Sequence, residues 1–302
     1  MNEKGSRFPT WSLLMAKGVL IGMSDSVPGV SGGTIAVLTG IYDRLIAALS
    51  SLDLTALRLL LGGELRRAWE RVDGFFLLPL ALGMLGGLLI SANTVLYALE
   101  HYPIHLGGFF IGLVIGALVL LRHEYRLTEF WGVLLLLLGF FCSLGLAWVR
   151  PGATHDSVLF LFMAGAIAIS AMLLPGLSGA FLLILLGVYE PMLAAVVEFN
   201  VLPLAIFALG CAVGLLVFSR LLDWVLHRYR GQTYSLICGL LLGSLSVIWP
   251  WRVDMQPVWP TDFAIASGGS AELNAALVVG FSGVCLVLVL HWFFERFHSA
   301  AD

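Results

Sequence analysis

Read for apolar and polar positions alone, the chain falls into ten apolar runs. They are Trp11 to Val27, Thr34 to Leu49, Gly74 to Leu99, Leu106 to Leu121, Glu129 to Val149, Ser157 to Leu174, Phe181 to Phe199, Leu202 to Val225, Tyr234 to Trp249 and Leu273 to Phe294. Crossing a bilayer takes about 20 residues at 1.5 Å of rise each. The pattern therefore predicts an all-α polytopic membrane protein. The first two runs, and the sixth and seventh, are short and separated only by a Pro-Gly element. Each such pair is expected to form a broken or re-entrant helical hairpin.

The two hairpins are copies. Moving "SDSVPGVSGGTIAVLTGIYDRLI", which starts at Ser24, along by 147 positions lays Pro28 on Pro175, Gly29 on Gly176, Ser31 on Ser178, Gly32 on Gly179, Gly40 on Gly187 and Tyr42 on Tyr189. At a shift of 127, Gly83 and Gly87 meet Gly210 and Gly214, and Gly112 and Gly116 meet Gly239 and Gly243. The chain thus reads as one unit duplicated, residues 1–150 and 151–302, with five segments in each half. A hairpin that returns to its starting side plus three crossings turns the second half upside down, an inverted repeat. The paired glycines one turn apart read as helix packing rather than chemistry.

Composition agrees. With 60% hydrophobic and 12% charged residues and a mean hydropathy of +0.98, the chain is far from a soluble domain, where roughly a quarter of residues are charged. The net charge of −3 says little; in a bilayer the placement of Lys and Arg matters. Following the parity, Lys4, Arg7, Arg44, Arg58, Arg66, Arg67, Arg71, Arg122, Arg126, Arg220, Arg228, Arg230 and Arg296 share the N-terminal side, and only Arg150 and Arg252 face the other. Both termini are therefore expected in the cytoplasm. Leu52 to Val72, mixing Leu with Arg and Glu, is expected to lie along that interface. The connection Trp251 to Glu272 faces outward, with Trp249, Trp251 and Trp259 suiting an interfacial belt. Cys142, Cys211, Cys238 and Cys285 show no metal or disulfide spacing, and no cofactor or nucleic-acid signature is present. No cleavable signal is evident, so the N-terminus is expected to be retained.

A helix broken inside a bilayer frees backbone groups that must be answered by protein or by a wet cavity. Pro28 and Pro175 end one half-helix, and Ser31 and Ser178 are natural caps for the next. Gly29, Gly32, Gly33, Gly176 and Gly179, with Ala180, leave the amides unshielded. Thr34 adds a hydroxyl. The start of a helix carries roughly half a positive charge, so each element reads as an anion nest with phosphate as its usual guest. One copy alone reads equally well as packing of broken helices; two matched copies favour a binding site.

Ionisable groups inside apolar runs are functional candidates by default. Lys17 and Asp25 flank the first break and are expected to pair with each other or to serve substrate and coupling ion. Asp43, Arg44 and Glu190 follow Tyr42 and Tyr189 at the end of the second half-helix, as a gate or as interfacial anchors. Arg220 and Asp223 read as snorkelling residues. The seven histidines show no ligand spacing, and no metal site is expected.

"DSVPGVSGGTIAVLTGIYDRLI" together with "LLPGLSGAFLLILLGVYEPML" resembles the signature of the bacterial polyprenyl-phosphate transporter family (PopT-type). The likeness spans nearly the whole chain; the second motif departs from the first at Ala180 and Phe181. The resemblance implies a translocase of the bacterial inner membrane. It would return undecaprenyl phosphate from the outer to the cytoplasmic leaflet, so that the lipid carrier of wall precursors is reused. Alternating access is the expected route; because a negative head group then moves against the membrane potential, a coupling cation, H+ or Na+, is expected, with Asp25 first and Glu190 second as its carrier. Monomer and homodimer both stay open. Two other classes compete. Undecaprenyl-pyrophosphate phosphatases are similar in outline, but carry an Arg directly after the loop Ser and paired Glu residues, where this chain has Gly32 and Gly179. Phosphoryl transfer without a cation clamp is disfavoured. A carrier of a small soluble anion would use the same nest.

Overall fold

The computed structural model describes residues 7–26, 30–149, 157–253 and 256–298. Its helices follow the apolar runs. In the first half, α1 (Arg7–Asp25), α2 (Gly32–Leu38) and α3 (Tyr42–Ser50) precede two short helices, α4 (Leu54–Leu61) and α5 (Leu65–Arg71). Then come α6 (Gly74–His101), α7 (Pro103–Leu120), a 3-10 turn (Leu121–His123) and α8 (Phe130–Leu146). In the second half, α9 (Val158–Leu173), α10 (Gly179–Leu185), α11 (Tyr189–Val197), α12 (Val201–Arg228) and α13 (Arg230–Val247) lead to a two-stranded antiparallel ladder. Its strands are β1 (Arg252–Val253) and β2 (Gln256–Pro257), and α14 (Pro260–Ser267) and α15 (Leu273–His298) follow. This ladder is the one departure from an all-helical chain among the described residues.

Local chemistry sets the ends. Asp53 caps α4, accepting from Ala56 N at 2.8 Å, and Ser157 caps α9, accepting from Phe160 N at 3.2 Å. Proline opens α7 and α14 at the position where its missing N–H costs nothing. The stretch from Leu52 to Val72 is two helices rather than one. They are joined at Gly63 (φ +77°) and clasped by the Arg71–Asp53 ion pair. That guanidinium holds the Asp53 carboxyl well below the usual carboxylate range.

Four helices are long and apolar enough to cross a membrane, namely Gly74–Ser91, Pro103–His123, Val201–Arg228 and Leu273–Trp292; two bent pairs raise the number to six among the described residues. Phe130–Leu146 and Val158–Leu173 are shorter apolar helices. The protein is a multi-pass membrane protein. Large apolar side chains such as Leu89, Leu209, Val217 and Phe281 stand exposed on these helices, as lipid-facing positions do.

The second and seventh apolar runs, expected as single half-helices, are each broken once more. Between α2 and α3 the axis turns by 119°, and between α10 and α11 by 103°. The turns fall at Gly40 (φ +69°) and Gly187 (φ +66°), a left-handed conformation that favours glycine.

Lengths recur at the offsets read from the sequence. The helices α2 and α10 are both 7 residues and α3 and α11 both 9, displaced by 147 (32 to 179, 42 to 189). At 28 residues each, α6 and α12 are displaced by 127 (74 to 201), as are the 18-residue α7 and α13 (103 to 230).

The described residues sort into two compact units, each drawing on both halves of the chain. The first holds α1, α2 to Ala36, α3 to α5, α6 to Leu88 and α9 to α12. Within it α1 lies on α6 and α9 on α12 through matching backbone approaches. Gly83 abuts Met15 O and Gly87 abuts Val19 O; 127 and 147 positions on, Gly210 abuts Phe162 O and Gly214 abuts Ala166 O. Phe76, Leu80 and Ile46 are fully buried here. The second unit holds the end of α2 through Gly40, the rest of α6, α7, α8, α13 to α15 and the ladder. In it α13 packs on α8 and α15 on α7. Gly112 against Gly280 O is echoed by Gly239 against Leu136 O, and Gly283 against Phe109 O by Gly139 against Leu236 O. The small-residue pairs read as packing devices do pack, Gly112, Gly239 and Gly243 against backbone of the facing helix and Gly116 against the Val287 side chain.

Candidate functional site

All the described candidate residues belong to the first unit. Pro28 and Gly29, expected to form the first break, lie outside the described residues. Past them Val30 and Ser31 run non-helically into α2. The first amide of α2, Gly32 N, donates to Asp25 Oδ1 at 2.7 Å. A Cβ on Gly32 would stand 2.5 Å from Asp25 Oδ2, so a larger residue here would displace the carboxylate from the amide. Asp25 therefore does not pair along its own helix; Lys17 sits two turns earlier, about 12 Å along the axis. The carboxylate instead occupies the positive start of α2 as a built-in anion.

In the second copy α9 stops at Leu173, and Gly176 turns at φ +87°. Ser178 caps α10 by accepting from Phe181 N at 3.3 Å. The residue matching Asp25 is Met172 (25 to 172), and its Cγ would lie 2.5 Å from a Cβ on Gly179. With no carboxylate there, the Gly179 and Ala180 amides have no hydrogen-bond partner among the described residues. The two matched motifs thus differ at this point: the Gly32 amide is answered by the protein's own carboxylate, and its counterpart at Gly179 is not.

The structure brings the two motifs into contact. Ser31 Oγ donates to Leu174 O at 3.3 Å, and Tyr42 Oη donates to Leu173 O at 3.0 Å. Both acceptors are carbonyls released where α9 ends before Pro175, so hydroxyls of the first motif answer them. In return Gly176 N donates to Thr34 Oγ1 at 3.2 Å. A Cβ on Gly33 would stand 3.2 Å from Met172 O and 3.3 Å from Pro175 N, a tight fit between the two hairpins. Ser31, read as a cap, donates across to the other hairpin instead, while Ser178 does cap.

The remaining candidates differ in placement. Lys17 is buried in α1 at 2% exposure, an extreme position for a lysine. Arg44 is exposed, ion-paired with Asp73 at 2.7 Å and stacked 4.4 Å over the Phe76 ring. Asp43 is half-buried in the first turn of α3. Tyr189 is 39% exposed and Glu190 is exposed, and neither side chain bonds to the motif pair. The second copy thus lacks the tether that Tyr42 supplies in the first. Sequence reasoning missed Met172 and the carbonyls of Leu173 and Leu174; the 147 offset that sets Met172 opposite Asp25 was the available signal.

The pattern of the undecaprenyl phosphate translocase-like (VCA0040-like) family matches residues 21–263, which includes both motifs. The chain belongs to this family. It is similar to the polyprenyl-phosphate transporter of Vibrio cholerae, 34% identical over 295 residues, covering 93% of this chain and 96% of the relative. A second relative, the polyprenyl-phosphate transporter of Staphylococcus aureus, is 33% identical over 261 residues, covering 80% of this chain and 88% of its own. Both are named as transporters, not as phosphatases. No solved structure matches the chain.

Proposed function

We propose that this family member translocates polyprenyl phosphate, undecaprenyl phosphate in a bacterial inner membrane, returning it to the cytoplasmic leaflet. One observation carries the reading. The two Pro-Gly-x-Ser-Gly elements, 147 positions apart, are hydrogen-bonded to each other through Ser31, Thr34 and Gly176, with amides of Gly179 and Ala180 left over as donors. A phosphate held there would be met by those amides and by the hydroxyls of Ser31, Thr34 and Ser178, with Lys17 supplying full charge. Pro175, Gly176, Gly32 and Gly33 would shape the floor.

The halves 1–150 and 151–302 would run oppositely through the bilayer, and rocking of one against the other would open the site to each leaflet in turn. Moving a negative head group inward works against the membrane potential, about 2.3 kcal/mol per charge per 100 mV. A coupling cation, H+ or Na+, offsets this. Asp25 is its proposed carrier. Neutralising the carboxylate would weaken its hold on the Gly32 amide and release a donor to the phosphate. Tyr42, Asp43, Arg44, Tyr189 and Glu190, at the second break of each hairpin, would gate the passage.

The test is translocation of a fluorescent polyprenyl phosphate in proteoliposomes, read by quenching in one leaflet. The wild-type protein should accelerate it over empty vesicles, and Ser31→Leu with Ser178→Leu should abolish that. Asp25→Asn should remove the dependence on the ion gradient. Release of inorganic phosphate from the pyrophosphate form would overturn the reading in favour of a phosphatase.

A further inference from the structure

The second unit holds a cavity of about 700 Å³ between α7 and α15, within the usual range for a small-molecule site. Its walls are apolar. Three tryptophans, Trp249, Trp251 and Trp259, close one end, and Ile115 and Val284 mark the other. Two indoles cannot offer a donor: Trp249 Nε1 donates to Val258 O at 2.8 Å and Trp251 Nε1 to Ala271 O at 2.7 Å. Of the lining side chains Thr261 alone carries a hydroxyl. A water needs two to four polar partners, so this space suits hydrocarbon.

Its shape suits a chain rather than a ring. The lining runs from Gly108 to Ile115 on α7, about 10 Å, and from Leu273 to Val284 on α15, about 16 Å. That is a slot along two membrane-crossing helices, roughly half the depth of the hydrocarbon layer. The Gly112–Gly280 backbone contact forms its floor. Phe281 and Trp259, each 71% exposed, stand as its rims. A concave slot with walls on both sides touches a bulky, methyl-branched chain over more of its surface than a flat lipid-facing helix does.

We propose that this slot between α7 and α15 seats part of the isoprenoid chain of polyprenyl phosphate while the head group is carried. The inference rests on the reading above for the identity of the cargo.

The test uses the full chain in phosphatidylethanolamine and phosphatidylglycerol nanodiscs, with a polyprenyl phosphate that bears a diazirine on its isoprenoid chain. Labelled peptides are mapped by mass spectrometry. Label should concentrate on α7 and α15 and fall several-fold with excess unlabelled polyprenyl phosphate or polyprenol, but not with extra phosphatidylglycerol. Ile115→Trp, at a position 41% exposed and so tolerant of change, should fill the slot and cut labelling at least five-fold. Label spread evenly over lipid-facing helices, equal competition by phosphatidylglycerol, or crosslinks between two copies of the chain would overturn the proposal. Polyprenol, which lacks phosphate, separates the two readings. If the phosphate site fails, Ser31→Leu leaves transport intact, yet polyprenol still protects the slot.

Discussion

Gly176 N donates to Thr34 Oγ1 at 3.2 Å in a buried setting, joining residues 142 positions apart. The bond fastens one broken hairpin to the other. Thr34→Val keeps the shape and removes the acceptor, leaving the amide unsatisfied, which costs about 1–3 kcal/mol. Thermal unfolding in detergent should show a lowered Tm for Thr34→Val and near wild-type behaviour for Thr34→Ser.

Gly32 is held close by the Asp25 carboxylate. Gly32→Ala should force the carboxylate away from the α2 start and reduce translocation at least ten-fold. Adding Asp25→Ala clears the clash. The double variant should therefore be more stable than the sum of the two single changes predicts, a coupling a double-mutant cycle reads.

The duplicated packing gives a paired test. A Cβ at Gly112 or Gly239 would enter the backbone of the facing helix, whereas Gly86 and Gly145 face open space. Gly112→Ala and Gly239→Ala should each destabilise by about 1–3 kcal/mol. Gly86→Ala and Gly145→Ala should stabilise by about 0.5–1 kcal/mol, because alanine loses less freedom in a helix. Denaturant or thermal midpoints in one detergent compare all four.

The clasp on α4 and α5 should fail in acid. Arg71 depresses the Asp53 carboxyl in the folded chain, so the clasp contributes fully above the unfolded carboxylate value of about 3.9. It is lost as pH falls below that toward the lower folded value. Cysteine accessibility at positions on α4 should rise between pH 4 and 2, and Arg71→Ala should move that rise to higher pH.

Much of this was legible in the chain. The 147 and 127 offsets that align the glycines also align the helix ends and the close contacts, because a backbone approach tolerates no side chain on either copy. The end of α9 before Pro175 was legible because proline cannot continue a helix. The second breaks, at Gly40 and Gly187, were not: a single glycine in an apolar run also reads as packing. Nor does any spacing rule say that Asp25 reaches Gly32 across a turn. The fates of Ser31 and Ser178 diverge through their partners. Ser31 faces the free carbonyl of Leu174, while Ser178 faces only its own helix start, and a motif read alone is blind to that.

The central claim is that the two motifs hold a lipid phosphate between them. Solid-state NMR of 15N-labelled protein with bound polyprenyl phosphate, reading 31P–15N dephasing, tests it most directly. Amide hydrogen bonding predicts the phosphorus within about 4 Å of the Gly179 and Ala180 nitrogens, with the signal lost in Ser31→Leu/Ser178→Leu. Dephasing confined to surface arginines such as Arg58 or Arg66, with none at those two amides, would contradict it.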